Sequence, residues 1–412
     1  MSELKRTVLY DVHVKAGATM VDFGGWDMPV QYPTGIIAEH LYTRSVCSLF
    51  DVSHMGRLVF TGPERKAFLQ HVLSSNVDAL TVNLAQYCII PDENGSAVDD
   101  AYLYCFDEDS YMLVVNAANI DKDLAWLSEK IKGFDCVMTN ISNEWGSIAV
   151  QGPKSEEMML VLSGGTPLTA EAKRNNLNTM SLEGHEMKIS RTGYTGEPIG
   201  FEVFMKNEDA EWLWNRLVEL GAKPAGLGAR DTLRLEGGLP LYGHEMGLDH
   251  DGNPMPIFAA GLARFAVNFA EEKGDFIGRE PLAKQRAVVD RIKNKDFSDL
   301  ADLPKRVLSI ALLDRGVIRG GMNVYKDGVQ VGWITSGTMV PYFVFEGEEP
   351  DSVMTEKTGK RSIGFAYVDS GVRVGNEVDI EIRPGKMAKA KIVSKHVNAN
   401  VPPYVKPVLV QQ

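Results

Sequence analysis

The pattern of apolar and polar residues changes along the chain. Up to about residue 276, segments with the apolar spacing of a helix alternate with strand-like runs. The predicted helices span 35–45, 155–162 and 210–220, and the predicted strands span 146–151, 179–190 and 199–205. Helices and strands intermixed in this way indicate an α+β fold.

Two strand-like runs, 97–106 and 111–116, flank a turn rich in aspartate and predict a β-hairpin. A helix over 120–131 is predicted next, with Asn119 as its N-cap and acidic residues in its first turn. Residues 97–131 are therefore predicted to form a β-hairpin followed by a helix.

Beyond residue 306 the chain changes character. Short strand-like runs, separated by turn signals such as Asp327-Gly328, predict a small β-barrel or sandwich. The charge-dense amphipathic stretch 277–306 precedes these strands, and we place the last domain boundary there. Residues 343–360 are rich in Glu and Gly and are expected to form a long exposed loop.

Length, charge and cysteine content limit the class of protein. A chain of 412 residues exceeds the ~250–300 residues that one core usually serves, so two or three domains are expected. The formal net charge of −12 argues against nucleic acid or anionic lipid as a partner. No apolar stretch fits a membrane helix, and residues 1–6 are too short for a targeting peptide. The four cysteines have no CxxC spacing. A cytoplasmic location with reduced, buried thiols is expected.

Familiar catalytic motifs do not occur in the sequence. His244-Glu245 is followed by His250 at i+6, whereas a zinc-binding helix needs its second histidine at i+4. Gly226-Leu227-Gly228 lacks the third glycine of a dinucleotide loop, and neither a P-loop nor a hydrolase elbow is found. No metal is expected in the functional site.

Two adjacent carboxylates, Asp99 and Asp100, interrupt a strand-forming run, although strands disfavour aspartate. Alternation places Asp100 on one face with Tyr102 and Tyr104, and Asp99 on the other with Leu103. Asp100, beside aromatic rings, is the candidate for contact with a planar heterocycle. Alternatively, both acids are solvated residues that follow a turn.

Two polar features nearby also admit a functional or a structural interpretation. Asn116 ends a strand, where its amide either meets a buried partner or caps the next helix. The glycine-rich turn 191–202 bears Tyr194 and ends at Glu202. Such a turn either approaches a ligand or simply makes a tight hairpin.

Arg230 and Arg234 lie at i and i+4 of a predicted helix. They either pair with Asp231 or Glu236, or hold a ligand carboxylate or carbonyl through the guanidinium fork. The residue types alone leave both possibilities open.

Ten motifs in a fixed order carry more information than any one of them. They are residues 20–29, 50–56, 93–100, 114–119, 151–153, 191–202, 226–236, 241–243, 276–278 and 334–338. In this order they resemble the aminomethyltransferase (T-protein) family of the glycine cleavage system, over nearly the whole chain.

The resemblance implies a three-domain clover-leaf around a central tetrahydrofolate site, with the β-barrel as the last domain. It implies a discontinuous first domain, 1–55 with 140–240. The second domain, 56–139 with 241–295, would carry Asp100, and the barrel domain would span 304–412.

The resemblance also implies the reaction, a one-carbon transfer in glycine catabolism. An aminomethyl group on the lipoyl arm of the partner H-protein would be split, releasing ammonia, while its carbon becomes the methylene of 5,10-methylenetetrahydrofolate. Asp100 matches the catalytic carboxylate of the family. A carboxylate there would orient the attacking nitrogen and stabilise developing positive charge.

Other site residues are implied by their positions in the matching motifs. Glu202 matches the acid that accepts the pterin N–H groups, Asn116 serves the same ring edge, and Arg230 matches a cationic anchor for folate oxygens. The implied wall of the pocket consists of Met55, Tyr87, Tyr194 and Tyr242.

The sequence also departs from the family pattern. The turn before Glu202 is one residue longer than usual, and the insert 250–256 is unusual. These departures leave open a related tetrahydrofolate-dependent demethylase that acts on a small free methylated substrate without an H-protein. A third possibility is a folate-binding or iron–sulfur assembly helper, but such helpers typically carry a cysteine motif that is not found here.

Overall fold

A computed structural model of the chain describes residues 3–348, 351–398 and 405–410. The chain divides into two compact units, residues 1–90 with 99–231 and residues 91–98 with 232–412. None of the helices in the described ranges is long and apolar enough to cross a lipid bilayer. The three-domain division drawn from the resemblance stays a prediction.

The first unit is built on two sheets. The elements up to Glu236 are, in chain order, α1 (Tyr10–Lys15), β1 (Thr19–Phe23), β2 (Trp26–Gln31), α2 (Ile36–Ser45), β3 (Ser48–Asp51), β4 (Gly56–Thr61), α3 (Arg65–Val72), β5 (Leu84–Pro91), β6 (Ala97–Cys105), β7 (Tyr111–Val115), α4 (Ile120–Lys130), β8 (Val137–Asn140), β9 (Trp145–Gln151), α5 (Ser155–Leu162), β10 (Leu177–Leu182), β11 (His185–Ser190), β12 (Gly200–Lys206), α6 (Asn207–Glu219), β13 (Lys223–Pro224) and α7 (Leu227–Glu236). One sheet has the strand order β10-β11-β12-β9-β3-β13 and the other β5-β6-β7-β4-β8. The hairpin predicted over 97–116 is confirmed as the antiparallel pair β6 and β7.

The two faces of β12 have different roles. Phe201 is fully buried in a core that includes Trp214 of α6. The alternate residues Glu202 and Phe204 point the other way. The ring of Phe204 lies 5.2 Å from the ring of Tyr104 on β6. This second face therefore meets the five-stranded sheet and brings β12 side chains opposite those of β6.

The second unit carries the predicted β-barrel. Its described elements are α8 (Ala263–Ala266), α9 (Arg279–Lys293), β14 (Lys305–Leu312), β15 (Asn323–Lys326), β16 (Val329–Glu346), β17 (Val353–Asp369), β18 (Glu377–Arg383), β19 (Lys386–Val393), β20 (Val397–Asn398) and β21 (Lys406–Pro407). Six of the strands close in the order β14-β17-β16-β15-β18-β19. Fully buried Ile310, Ile334 and Ile380 fill the core of this closed sheet. The barrel and the mixed first unit confirm the α+β prediction.

The prediction of a long exposed loop over 343–360 is wrong. Strands β16 and β17 pair far into this segment, with Phe343 opposite Thr358, Phe345 opposite Met354 and Glu346 opposite Val353. Aromatic and β-branched residues favour a strand. They outweigh the overall Glu and Gly content that suggested a loop. Residues 349 and 350 lie outside the described ranges.

All four cysteines lie in the described ranges and are free thiols. Cys47, Cys88 and Cys105 are buried, as predicted. Cys136 differs, because it is partly exposed just before β8.

Candidate functional site

Asp99 and Asp100 point to opposite faces of β6. Asp99 alternates with Ala101 and Leu103 and has 0% exposed surface. Asp100 lies on the partly exposed face with Tyr102, as the alternation predicted. The alternative that both acids are solvated is wrong, because Asp99 is fully enclosed by protein.

Asparagine donors hold the Asp99 carboxylate. The backbone N–H of Asn116 donates to Oδ2 at 3.0 Å, its Nδ2 donates to Oδ1 at 2.8 Å, and Nδ2 of Asn119 donates to Oδ1 at 2.6 Å. Asn119 precedes α4 as predicted, but its side chain does not cap the helix. The side chain of Asn116 does not act as a cap either. Both amides serve a buried charge, which is the stronger acceptor.

Asp100 receives donors from two directions. The Tyr87 hydroxyl donates to Oδ2 at 3.0 Å, and Nδ2 of Asn116 donates to Oδ1 at 2.9 Å. Burial and then the charge of Asp99 raise the pKa of Asp100 to about 7, against the lowering effect of these two bonds. At neutral pH the carboxyl group populates both protonation states, so it can accept or deliver a proton.

Glu202 is fixed on the face of β12 that meets β6. Its strand neighbours are Ala149 on β9 and Ser190 on β11. The Tyr104 hydroxyl donates to Oε2 at 3.2 Å, and the Thr192 hydroxyl donates to the same oxygen. Within the part of the chain that the structure describes, no protein donor reaches Oε1. That oxygen is therefore available to an N–H group of a ligand.

Arg230 presents a buried donor that no described residue accepts from. Its guanidinium lies 5.1 Å from the ring centre of Tyr194. Its Nη1 is buried without a hydrogen-bond partner among the described residues. Burial lowers the pKa of Arg230, while the charge of Glu202 opposes that change. An unmet buried donor costs about 1–3 kcal/mol, so a ligand oxygen at Nη1 would be stabilising.

Arg234, one helical turn later, has structural partners. Its Nη1 pairs with Glu245 at 2.8 Å and its Nη2 donates to Ser336 at 2.8 Å, all within the second unit. Arg230 and Arg234 therefore differ in their protein partners, although both were candidates from the sequence.

Seven of the eight predicted site residues lie in the first unit. They are Met55, Tyr87, Asp100, Asn116, Tyr194, Glu202 and Arg230, and each keeps partial exposure. Aromatic contacts connect the two acids: the ring of Tyr102 lies 6.0 Å from Tyr87 and 5.6 Å from Tyr104. Since Tyr87 binds Asp100 and Tyr104 binds Glu202, the two carboxylates belong to one cluster.

Met55 and Tyr242 are placed less directly. Met55 lies beside His54 in the turn between β3 and β4 and is partly exposed. Tyr242 lies in the second unit, where its hydroxyl donates to the carbonyl of Ala97 at 3.1 Å. Their role as walls of the pocket stays a prediction.

Sequence reasoning missed the groups that fix Glu202. Tyr104 shares a strand face with Asp100, and Thr192 lies two residues before Tyr194, but neither pattern names Glu202 as the partner. These donors could have been found only from the packing of β6 against β12, and no local sequence pattern predicts that contact. Asp123 was also missed, because an acid in a first helical turn normally faces solvent.

A separate apolar cavity of about 210 Å³ is lined by Val59, Phe106, Met112, Trp145 and Lys188, among others. It includes none of the predicted site residues. Its volume also lies below the ~300–1,000 Å³ that is typical of small-molecule pockets. The cavity is therefore not the candidate site.

Comparison with known proteins matches the chain to a family. A family model described as the GCVT N-terminal domain matches residues 9–268. The chain belongs to the GCVT family. Two relatives, both named aminomethyltransferase, are 39% identical to it. The protein of Lysinibacillus sphaericus aligns over 397 residues, 95% of this chain and 97% of its own, and that of Listeria welshimeri over 394 residues, 95% and 98%.

A solved structure extends the match to the fold. The glycine cleavage system aminomethyltransferase T of Bartonella henselae has a TM-score of 0.77 at 29% identity, covering 95% of this chain and 97% of its own. These matches confirm the resemblance read from the ordered motifs. As a GCVT family member with relatives of this name, the chain is an enzyme of the aminomethyltransferase class.

Proposed function

We propose that this enzyme takes the aminomethyl group from the lipoyl arm of an H-protein, releases ammonia and transfers the carbon to tetrahydrofolate, forming 5,10-methylenetetrahydrofolate. One observation carries the proposal: Asp100 is held by Tyr87 and Asn116 with a pKa of about 7, in one cluster with Glu202. A carboxyl group poised in this way suits proton transfer at a nitrogen near neutral pH.

The unmet polar atoms of the site suit a reduced pterin. A pterin offers amino and ring N–H donors together with a ring carbonyl, and folate adds carboxylate oxygens. Oε1 of Glu202 accepts such an N–H group, and Nη1 of Arg230 donates to an oxygen. Tyr87 and Tyr194 supply flat surfaces for the ring. Acceptor, donor and aromatic surface thus correspond to the chemistry of one ligand.

The bonds that change set the role of Asp100. The aminomethyl carbon loses its bond to nitrogen, as ammonia, and its bond to sulfur, as the dihydrolipoyl thiol. Tetrahydrofolate supplies the two nitrogens that bind this carbon, and their protons balance the ammonia and the thiol. The Asp100 carboxylate orients the nucleophilic N–H and stabilises positive charge near the carbon. Its proton transfer is worth ~10²–10⁴ in rate.

The donor and the location are part of the same proposal. The Bartonella structure is named for the glycine cleavage system, which supports a lipoylated H-protein of that system as the partner. The four free thiols support a reducing compartment, the cytoplasm.

The test is ammonia release from H-protein charged with aminomethyl-lipoate, measured with and without tetrahydrofolate. Release should depend on both components. Asp100→Asn should lower turnover by ~10²–10⁴ while tetrahydrofolate binding, followed by calorimetry, is retained. Asp109→Asn, in the exposed turn after β6, is the matched control and should leave both unchanged.

Absence of ammonia release at every tetrahydrofolate concentration would refute the proposal. Turnover of small N-, O- or S-methyl compounds without H-protein would instead support the demethylase. Folate binding without any turnover, unaffected by Asp100→Asn, would support a non-catalytic helper.

A further inference from the structure

A third aspartate lies behind the site and has no part in the proposed chemistry. Asp123 on α4 and Asp99 on β6 both have 0% exposed surface. Neither carboxyl oxygen of Asp123 receives a hydrogen bond from any described donor. The carboxyl groups of Asp123 and Asp99 are close enough to shift each other's pKa. Two acids thus meet in a place that water does not reach.

Only one of the two acids can be ionised there. Asp99 accepts three bonds from Asn116 and Asn119, which stabilise its charge. Asp123 accepts none from the described residues, so an ionised Asp123 would be a buried charge without a partner. Burial and then the charge of Asp99 raise the pKa of Asp123 to about 10. Asp123 therefore holds a proton more readily than Asp99 does.

We infer that Asp123 is a positioning residue for Asp100: its protonated carboxyl group donates to Asp99, keeps Asp99 ionised, and so aims the Asn116 amide at Asp100. The inference rests on the proposed function, in which Asp100 reacts. The same Nδ2 of Asn116 reaches Oδ1 of Asp99 at 2.8 Å and Oδ1 of Asp100 at 2.9 Å. An ionised Asp99 can only accept, so it holds this amide with its N–H groups toward both acids.

Loss of the Asp123 donor would alter Asp100 in a defined direction. Asp99 would lose one of the bonds that stabilise its charge and would take up a proton. The negative charge of Asp99 raises the pKa of Asp100. Once Asp99 is neutral, the pKa of Asp100 would therefore fall. The other groups that face this cluster are Lys122 on α4, beside Asp99 and Asp123, and Tyr87 on β5, beside Asp100. Both side chains remain present in the Asp123 variants.

Two substitutions at this position separate positioning from packing. Asp123→Asn keeps a donor of the same size and should retain the pH profile of kcat/KM for ammonia release. Asp123→Leu keeps the branched outline of the side chain, with more volume, but removes the donor. It should lower kcat by about tenfold and move the acidic limb of the profile to lower pH. Tetrahydrofolate binding should change little, because Asp123 does not contact the ligand site.

Equal losses in the two variants, with no movement of the pH profile, would overturn the inference. If Asp123→Leu does not fold, Asp99→Asn replaces it, since removal of the Asp99 charge should move the acidic limb in the same direction. A limb that stays in place in Asp99→Asn would also overturn the inference.

Infrared spectroscopy tests the proton without any activity. At pH 9 Asp100, with a pKa of about 7, is ionised, whereas Asp123, with a pKa of about 10, keeps its proton. The wild-type protein at this pH should show the C=O band of a buried carboxylic acid, and Asp123→Asn should lose that band. A wild-type spectrum without the band would overturn the inference. Lack of ammonia release by the wild-type enzyme would instead refute the proposed function, so the two failures are distinguishable.

Discussion

The hydroxyl of Tyr104 donates to Oε2 of Glu202 at 3.2 Å, and this bond joins the two sheets of the first unit. Tyr104 lies on the same strand and the same face as Asp100. The two acids of the candidate site are therefore related through the backbone of β6 and one hydrogen bond, not through a mobile loop. Sites built on strands hold their geometry more closely than sites on loops.

Glu202→Gln should weaken tetrahydrofolate binding by about tenfold or more. The amide keeps one acceptor, but it loses the charge that strengthens a bond to a ligand N–H. Calorimetric titration with tetrahydrofolate measures the effect. Glu186→Gln, at an exposed position on β11, should bind as the wild type does. Equal affinity of all three proteins would remove Glu202 from the site.

Arg230→Lys should also weaken tetrahydrofolate binding by about tenfold, although the charge is kept, because lysine lacks the planar fork and stacks less well on Tyr194. The matched control is Arg286→Lys on the exposed side of α9, paired only with Asp290 among the described residues. Equilibrium binding of tetrahydrofolate to both variants provides the comparison. Undiminished affinity in Arg230→Lys would show that charge alone is sufficient.

The activity should rise with pH through about 7, the pKa of Asp100. The reactive form is the carboxylate, so protonation below this pH removes it. The measurement is kcat/KM for ammonia release from pH 5.5 to 8.5, since that ratio reports groups of the free enzyme. A profile that is flat across this range would show that another group governs the rate.

Asp100→Asn should stabilise the protein at pH 8 more than at pH 5. The pKa of Asp100 is raised by folding, so the folded state binds its proton more tightly than the unfolded state. Its contribution to stability is therefore lost as pH rises from the unfolded value toward about 7. The melting temperature of both proteins at the two pH values measures this. An equal shift at both would contradict the raised pKa.

Local patterns predicted much of the fold. The alternation in β6 gave the faces of Asp99 and Asp100, the helical spacing gave Arg230 its place on α7, and the turn signals after residue 306 indicated a barrel. Each of these depends on neighbours within a few residues. Such neighbours are fixed by backbone geometry alone.

Contacts between distant segments could not be predicted in this way. Asn119 has the sequence signature of a helix cap, yet a buried carboxylate twenty residues away takes its amide. The donors to Glu202 come from β6 and from the turn after β11, which meet only when the sheets pack. Whether an acid in a first helical turn meets water or another acid is likewise decided by packing, as Asp123 shows.

The arrangement of the thiols has a practical consequence. Because Cys47, Cys88 and Cys105 are enclosed and Cys136 reaches the surface, a maleimide dye should attach to the native enzyme at Cys136 first. Cys136 is thus a native labelling site for a fluorophore. Polarisation measurements of partner association can begin with the unaltered sequence.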